Sequence, residues 1–141
     1  MPGRVYLDTN ILILGLEAPG PRGAAARTLL RDAVAGRVHG VVGDAVVAEL
    51  MVGIHRSGSS ELESEMAAFL TRAHLTVVSH DRGMFLDAAR IRAHHGGQLM
   101  DALHVATAIA SGCDAIVSHD ERMPRLPEMP VLRLDQLDLG E

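Results

Sequence analysis

The chain has no lysine and no tryptophan, a single cysteine, and only three other aromatic residues, Tyr6, Phe69 and Phe85, among its 141 residues. Each absence removes a class of chemistry. Without lysine there is no P-loop lysine, no Schiff base and no lysine-assisted phosphotransfer. So few aromatic rings leave little scope for binding nucleic acid by base stacking on ring platforms. The lone Cys113 has no partner for an internal disulfide, so nothing points to an oxidising compartment, and it reads as a small apolar residue of the interior. No apolar run approaches the roughly 18 residues of a membrane span, and Met1-Pro2-Gly3-Arg4 leads directly into strand-like Val5-Tyr6-Leu7 without a signal-peptide pattern. The expectation is a cytoplasmic protein with no membrane partner.

What is present is a chain with 48% hydrophobic residues, enough to build one core, so residues 1–141 are expected to form a single domain. The formal charge of −5 argues against a general polyanion-binding surface. It leaves room for a nucleic acid held through a divalent cation and a few arginines. All thirteen Lys and Arg positions are arginine, and Arg22, Arg27, Arg31, Arg82 and Arg122 are candidates, each of which would serve equally as a solvated surface residue.

Short apolar or β-branched runs alternate with segments of helical period. The runs are Val5 to Leu7, Val38 to Val42, Leu75 to Val78, Ala115 to Val117 and Val131 to Leu134. Ala26, Leu29, Leu30, Ala33 and Val34 recur as one buried helix face requires, and Leu62, Met66, Phe69, Leu70 and Ala73 repeat that spacing. Two more helices are expected over Met84 to Ala93 and Met100 to Ser111, ended by Gly96-Gly97 and Gly112. Pro19-Gly20-Pro21 separates a first short helix from the next, and Pro124, Pro127 and Pro130 stiffen the connection to the last run. Asp135 to Glu141 reads as a peripheral turn or tail. The alternation implies an α/β fold with a mostly parallel sheet of about five strands and helices on both faces.

Four acids, Asp8, Glu49, Asp101 and Asp120, stand in or just after apolar stretches. Glu49 is the only charge in the ten residues Ala45 to Ile54. A helix apolar all round is normally buried, and a buried carboxylate must be paired, protonated or bound to a cation. Ligands of open parallel sheets bind beyond the carboxyl ends of the strands. Asp8 and Asp120 follow two strand-like runs and Glu49 lies in the helix after a third, so these three are expected at one edge. Spacing alone does not place Asp101. Two carboxylates about 5 Å apart at an effective dielectric of about 20 repel by roughly 3 kcal/mol, so a cluster of them raises pKa values or recruits a cation. Oxygen ligands alone, with no second cysteine and no His-Glu-x-x-His pattern, favour Mg²⁺ or Mn²⁺ over Zn²⁺.

Each acid also has a structural reading. Asp8 and Asp120 would serve as helix N-caps, Asp101 as a first-turn acid, and Glu49 as the partner of an arginine. Asp101, His104 and Thr107 form a narrow polar stripe on an otherwise apolar helix, which is expected to border a cleft. Within it His104 reads as a hydrogen-bonded histidine near the core, and His94, His95 and His119 read as surface or supporting residues without metal-ligand spacing.

Leu7-Asp8-Thr9-Asn10, Ala48-Glu49-Leu50, Met100-Asp101-Ala102-Leu103-His104-Val105-Ala106-Thr107-Ala108 and Ile116-Val117-Ser118-His119-Asp120, in this order, resemble the PIN domain. The length resembles the stand-alone VapC type of toxin ribonuclease. The resemblance implies a Rossmann-like sheet and brings Asp101 into the same acidic pocket. It implies that Asp8, Glu49, Asp101 and Asp120 hold one or two Mg²⁺ or Mn²⁺ ions, with Thr9 and Ser118 as supporting hydroxyls and Asn10 at a variable polar position. It also implies hydrolysis of RNA by an ion-activated water, a homodimer, and neutralisation by a cognate antitoxin. The chain departs from the family where an aromatic often follows the last acid: Met123 stands there, a residue able to fill the same apolar slot.

Two other readings stay open at this level. One is a PIN-like module that binds or dimerises without catalysis. The other is a haloacid-dehalogenase-like phosphohydrolase with Asp8 as nucleophile, although Asn10 occupies the place of that family's second aspartate and its lysine is missing.

Overall fold

The computed structural model describes residues 3–72 and 74–139. The elements run β1 (Arg4–Leu7), α1 (Thr9–Glu17), α2 (Gly20–Val34), β2 (His39–Gly43), α3 (Asp44–Ser57), α4 (Ser60–Leu70), β3 (Leu75–Val78), α5 (Arg82–His95), α6 (Leu99–Ala110), β4 (Ala115–Val117) and β5 (Val131–Leu132), followed by a 3₁₀ turn at Leu134–Gln136. The strands form one sheet in the order β3-β2-β1-β4-β5, and every pairing is parallel. Successive strand side chains point to opposite faces, yet Val5, Tyr6 and Leu7 are all fully buried, as are Val41, Val42, Ile116 and Val117. Both faces of the sheet centre are therefore covered, which is why these strands read as unbroken apolar runs.

The chain builds outward from β1 to β2 and β3, then returns to lay β4 on the other side of β1. The crevice at the carboxyl ends of β1 and β4 is thus the point at which the winding reverses, where open α/β sheets bind ligands.

Local chemistry sets the boundaries. Asp8 caps α1, Ser59 accepts the Leu62 N–H at 3.2 Å to cap α4, and Asp81 accepts the Met84 N–H at 2.9 Å to start α5 two residues before the apolar periodicity suggests. In α2 the buried stripe is Gly23, Ala26, Leu29, Asp32 and Ala33, whereas Val34, expected on it, is 37% exposed where the helix ends. Ala73, expected on the buried face of α4, lies outside the described residues. The last strand stops at Leu132 rather than Leu134, because the chain turns into the 3₁₀ segment and buries Leu134 there. Gly140 and Glu141 are likewise outside the described residues. Met123, Pro124, Leu126 and Met129 are buried in the proline-stiffened connection, so Met123 does fill an apolar slot. Cys113 is half-buried against the core, and burial pushes its thiol up to about 11. Among the described residues no helix is long and apolar enough to cross a membrane.

His80, in the loop between β3 and α5, joins α3 to α6. Its Nε2 accepts the Ala45 N–H of α3 at 3.1 Å, and its Nδ1 meets Thr107 Oγ1 of α6 at 2.8 Å. The Thr107 hydroxyl donates to Leu103 O at 2.7 Å, so it receives from Nδ1–H, and His80 is held neutral. Burial, and then the proximity of His104, lowers its pKa; burial first also lowers those of His39 and His119. A histidine with a depressed folded pKa binds fewer protons folded than unfolded, so its stabilisation is present above about 6.5 and fades as pH falls below that value. The melting temperature is expected to hold between pH of about 8 and 7 and to fall from about 6.5 towards 6, with a weaker fall in His80→Gln. A melting temperature that is flat or rising over that last interval would count against this account.

Candidate active site

Asp8 leaves the end of β1, Asp120 lies beyond β4, Asp101 sits in the first turn of α6, and Glu49 lies in α3. All four line one cavity of about 310 Å³, together with Thr9, Asn10, Ile13, Gln98, Met100, His104 and Arg122. The four acids are therefore brought together, Asp101 included.

Asp8 is the most firmly held. Its Oδ1 accepts the Thr9 N–H at 2.8 Å, and its Oδ2 accepts the Ser118 hydroxyl at 2.6 Å and the Asn10 amide at 3.2 Å. It is an N-cap and a cavity wall at once, so the structural reading and the functional one coexist. Ser118 Oγ also accepts the Asp120 N–H at 3.0 Å, which couples the two strand ends through one hydroxyl. Asn10 reaches across the crevice too: its amide donates to Ser118 Oγ at 3.3 Å and its carbonyl accepts the His119 N–H at 3.2 Å. The family resemblance puts Asn10 only at a variable polar position, yet here its side chain bridges both strand ends.

Asp120 is not a helix cap. Its Oδ1 accepts the Arg122 backbone N–H at 2.9 Å and the Arg122 Nε–H at 3.2 Å. Burial would raise its pKa, but the bonds to Arg122 and the charge of that guanidinium outweigh it and leave the carboxyl below the usual range. Asp101 is displaced the other way. Burial, then the charges of Asp120 and Asp8, push its pKa up, with Arg122 and His104 only partly opposing them.

Glu49 requires a correction. Its side chain is 48% exposed rather than buried, because α3 turns only Val46, Leu50 and Ile54 into the core and leaves Ala48, Val52 and Gly53 at the surface. An apolar helix composition had implied burial on every side. Its partner is not an arginine but His104, whose Nε2 lies 3.3 Å from Glu49 Oε1. The polar stripe of α6 borders the cavity only at Asp101 and His104, since Thr107 is fully buried against His80.

Two buried polar atoms of residues lining the cavity, Thr9 Oγ1 and Asp101 Oδ2, have no hydrogen-bond partner among the described residues. A set of carboxylate and hydroxyl oxygens with two unsatisfied members fits a hard divalent cation such as Mg²⁺ or Mn²⁺. Among the described residues no three His, Cys, Asp or Glu side chains are already gathered as a ready cage. The carboxylates instead face protein donors, Asp8 towards Ser118, Asp120 towards Arg122 and Glu49 towards His104.

A model of the PIN domain family matches residues 5–129, and the chain belongs to that family. Solved structures of the same fold include a toxin–antitoxin complex from Klebsiella pneumoniae, with a TM-score of 0.70 and 19% identity over 94% of this chain and 99% of that one. FitAcB from Neisseria gonorrhoeae has a TM-score of 0.71 and 17% identity over 94% and 99% of the two chains. The sarcin-ricin loop cleaving toxin VapC20 from Mycobacterium tuberculosis has a TM-score of 0.67 and 16% identity over 84% and 92%. None of the curated proteins matches this sequence.

The raised pKa of Asp101 means that its contribution to stability is complete below the ordinary carboxylate pKa and lost as pH rises through the folded value, so its ionised form opposes folding at neutral pH. Without metal, Asp101→Asn is expected to leave stability unchanged or raised. Ser118→Ala, which strips Asp8 and Asp120 of a shared partner, is expected to cost about 1–3 kcal/mol. Urea titrations of the two variants in EDTA read both signs, and a large loss in Asp101→Asn would show that its role is structural.

Proposed function

We propose that this chain is a Mg²⁺- or Mn²⁺-dependent endoribonuclease and the toxin component of a type II toxin–antitoxin pair, acting in the cytoplasm. The observation that carries the reading is the convergence of Asp8, Glu49, Asp101 and Asp120 on one cavity whose wall also holds two unsatisfied oxygens. These four acids would hold the ion, with Thr9 and Ser118 in support. When bound, the ion supplies positive charge to a phosphodiester and acidifies water to the point of attack at neutral pH.

The chain's own residues would do the rest. Ser118 and the Thr9 N–H fix Asp8 so that its carboxylate keeps one orientation. Arg122 is exposed on the rim, and among the described residues its terminal nitrogens make no hydrogen bond, so they are free to receive an RNA phosphate. Ile13 and Met100 are half-exposed on the same wall and offer apolar contact to a base or ribose. With so few aromatic rings, grip on RNA would come from the backbone charge.

The toxin-like neighbours support a protein partner, and two apolar surfaces suit one. A groove of about 150 Å³ between α1, α3 and α4 is lined by Ile13, Leu16, Leu50, Gly53, Ile54, Ser57 and Leu62. Because Ile13 belongs to both the groove and the cavity, an antitoxin segment lying there would reach the acids directly. Phe85 and Leu86 on α5 and Leu99 and Met100 at the start of α6 are exposed, and exposed apolar residues of this kind suit a homodimer. Leu86→Asp is expected to shift the protein from dimer to monomer in light scattering; an unchanged mass would remove α5 from the interface.

The family assignment and the hydrogen bonds that engage both oxygens of Asp8 speak against a covalent nucleophile of the haloacid-dehalogenase kind. A non-catalytic binding module is favoured only by the absence of a ready cage among the described residues. The purified protein is expected to cut RNA with Mg²⁺ or Mn²⁺ and to stop in EDTA, while Asp8→Asn and Asp101→Asn fold but lose cleavage by at least about a hundredfold. Cleavage that survives EDTA, or that both variants retain, would refute the reading.

A further inference from the structure

Glu49 is the odd member of the acidic group. Asp8 and Asp101 are buried and Asp120 is tied to Arg122, whereas Glu49 sits on a long, half-exposed side chain with one hydrogen-bond partner among the described residues. Left to rotate, such a side chain adopts several rotamers of similar energy, and its ordering on binding an ion is unfavourable. The one contact is unusual because it comes from the core: His104 is 1% exposed and belongs to the buried face of α6.

The direction of the hydrogen bonds through His104 follows from the groups involved. A carboxylate only accepts, so Nε2 must carry the proton that faces Glu49 Oε1 at 3.3 Å. In the neutral ring Nδ1 is then the acceptor, and the Tyr6 hydroxyl donates to it at 2.7 Å. Tyr6 is fully buried on β1, and burial pushes its pKa up, so its proton stays in place. The hydroxyl is held in turn by close packing: a Cβ at Gly43 would collide with it, so β2 leaves no space for the ring to retreat. The tilted Tyr6 and His104 rings stand 5.6 Å apart between their centres.

We propose that His104 is a positioning residue: Tyr6 fixes its tautomer, and its Nε2–H holds the exposed Glu49 carboxylate at the mouth of the acidic cavity, so that β1 and α6 together preorganise the one flexible ligand of the cation site. The inference rests on the metal-site reading of that cavity. Such outer partners orient ligands that would otherwise wander, and their loss characteristically weakens metal binding by about 10- to 100-fold.

Asparagine and glutamine separate the two ends of the ring. The amide of asparagine reaches the place of Nδ1 and can meet Tyr6 but not Glu49, whereas that of glutamine reaches the place of Nε2 and can donate to Glu49. In a Mn²⁺ titration followed by water-proton relaxation, His104→Asn is expected to weaken binding about tenfold or more, and His104→Gln to restore most of it. Asp8→Asn provides the benchmark for loss of the site. Imidazole ¹H–¹⁵N spectra of the unmodified protein are expected to show His104 as the neutral Nε2–H tautomer. Wild-type Mn²⁺ affinity in His104→Asn, equal weakening in both variants, or an Nδ1–H tautomer would overturn the positioning role while leaving the metal site standing. If the unmodified protein bound no Mn²⁺, the metal reading would fall and this role with it. Should neither variant fold, the tautomer measurement alone decides.

Discussion

The constraint on which this molecule turns is that carboxylates from separate parts of the chain occupy one crevice, with Arg122 beside them. Carboxylates so gathered disfavour one another's charged forms, and the charges of Asp120 and Asp8 raise the pKa of Asp101. The fold tolerates this by sharing donors unevenly. Asp8 accepts three hydrogen bonds and Asp120 accepts two from Arg122, while the Asp120 N–H donates to Ser118 Oγ. Asp101 is left with a buried, unpartnered oxygen and a raised pKa. The repulsion is not removed but gathered onto one residue.

The sheet dictates where this occurs. Because β4 pairs with β1 rather than extending the sheet beyond β3, the chain leaves β1 and β4 side by side with their carboxyl ends level, Leu7 opposite Val117. The Asp8 N–H bonds Val117 O at 3.2 Å, so the ladder continues one residue past β1 and carries the first acid to the rim. Ser118, the next residue on the neighbouring strand, is then in reach of Asp8. A short separation between two backbones has become a fixed orientation for a side chain, with no loop flexibility between cause and effect.

Much of this was legible in the sequence. The strands read as apolar runs because both of their faces are covered, and the two acids that follow β1 and β4 could be assigned to one edge because a parallel sheet points all its carboxyl ends the same way. Asp101 was not placeable by spacing, since α6 precedes β4 and its first turn must fold back over the sheet to meet the rim; family resemblance supplied what periodicity did not. Glu49 departs from expectation for a different physical reason. Apolar residues such as Val52 on α3 and Ile13 on α1 stay exposed at about half their surface, and composition does not distinguish a core face from an apolar surface left for a partner. His104 was recognised as a hydrogen-bonded residue, but its partners lie on β1 and α3, far away in sequence, so its connection to Glu49 became visible only in three dimensions.

The uneven treatment of Asp101 and Asp120 bears on how the site would accept an ion. Neighbouring carboxylates whose pKa values are driven apart take different roles: the lowered one stays ionised, and the raised one keeps a proton to higher pH. An incoming divalent cation would find Asp120 held in its charged form and would gain Asp101 by displacing whatever proton it retains, so binding and deprotonation would be coupled at that residue. The same charges that make Asp101 costly in isolation become favourable once a cation stands among them. The residue on which those charges act most is in the first turn of α6, the helix that also carries His104.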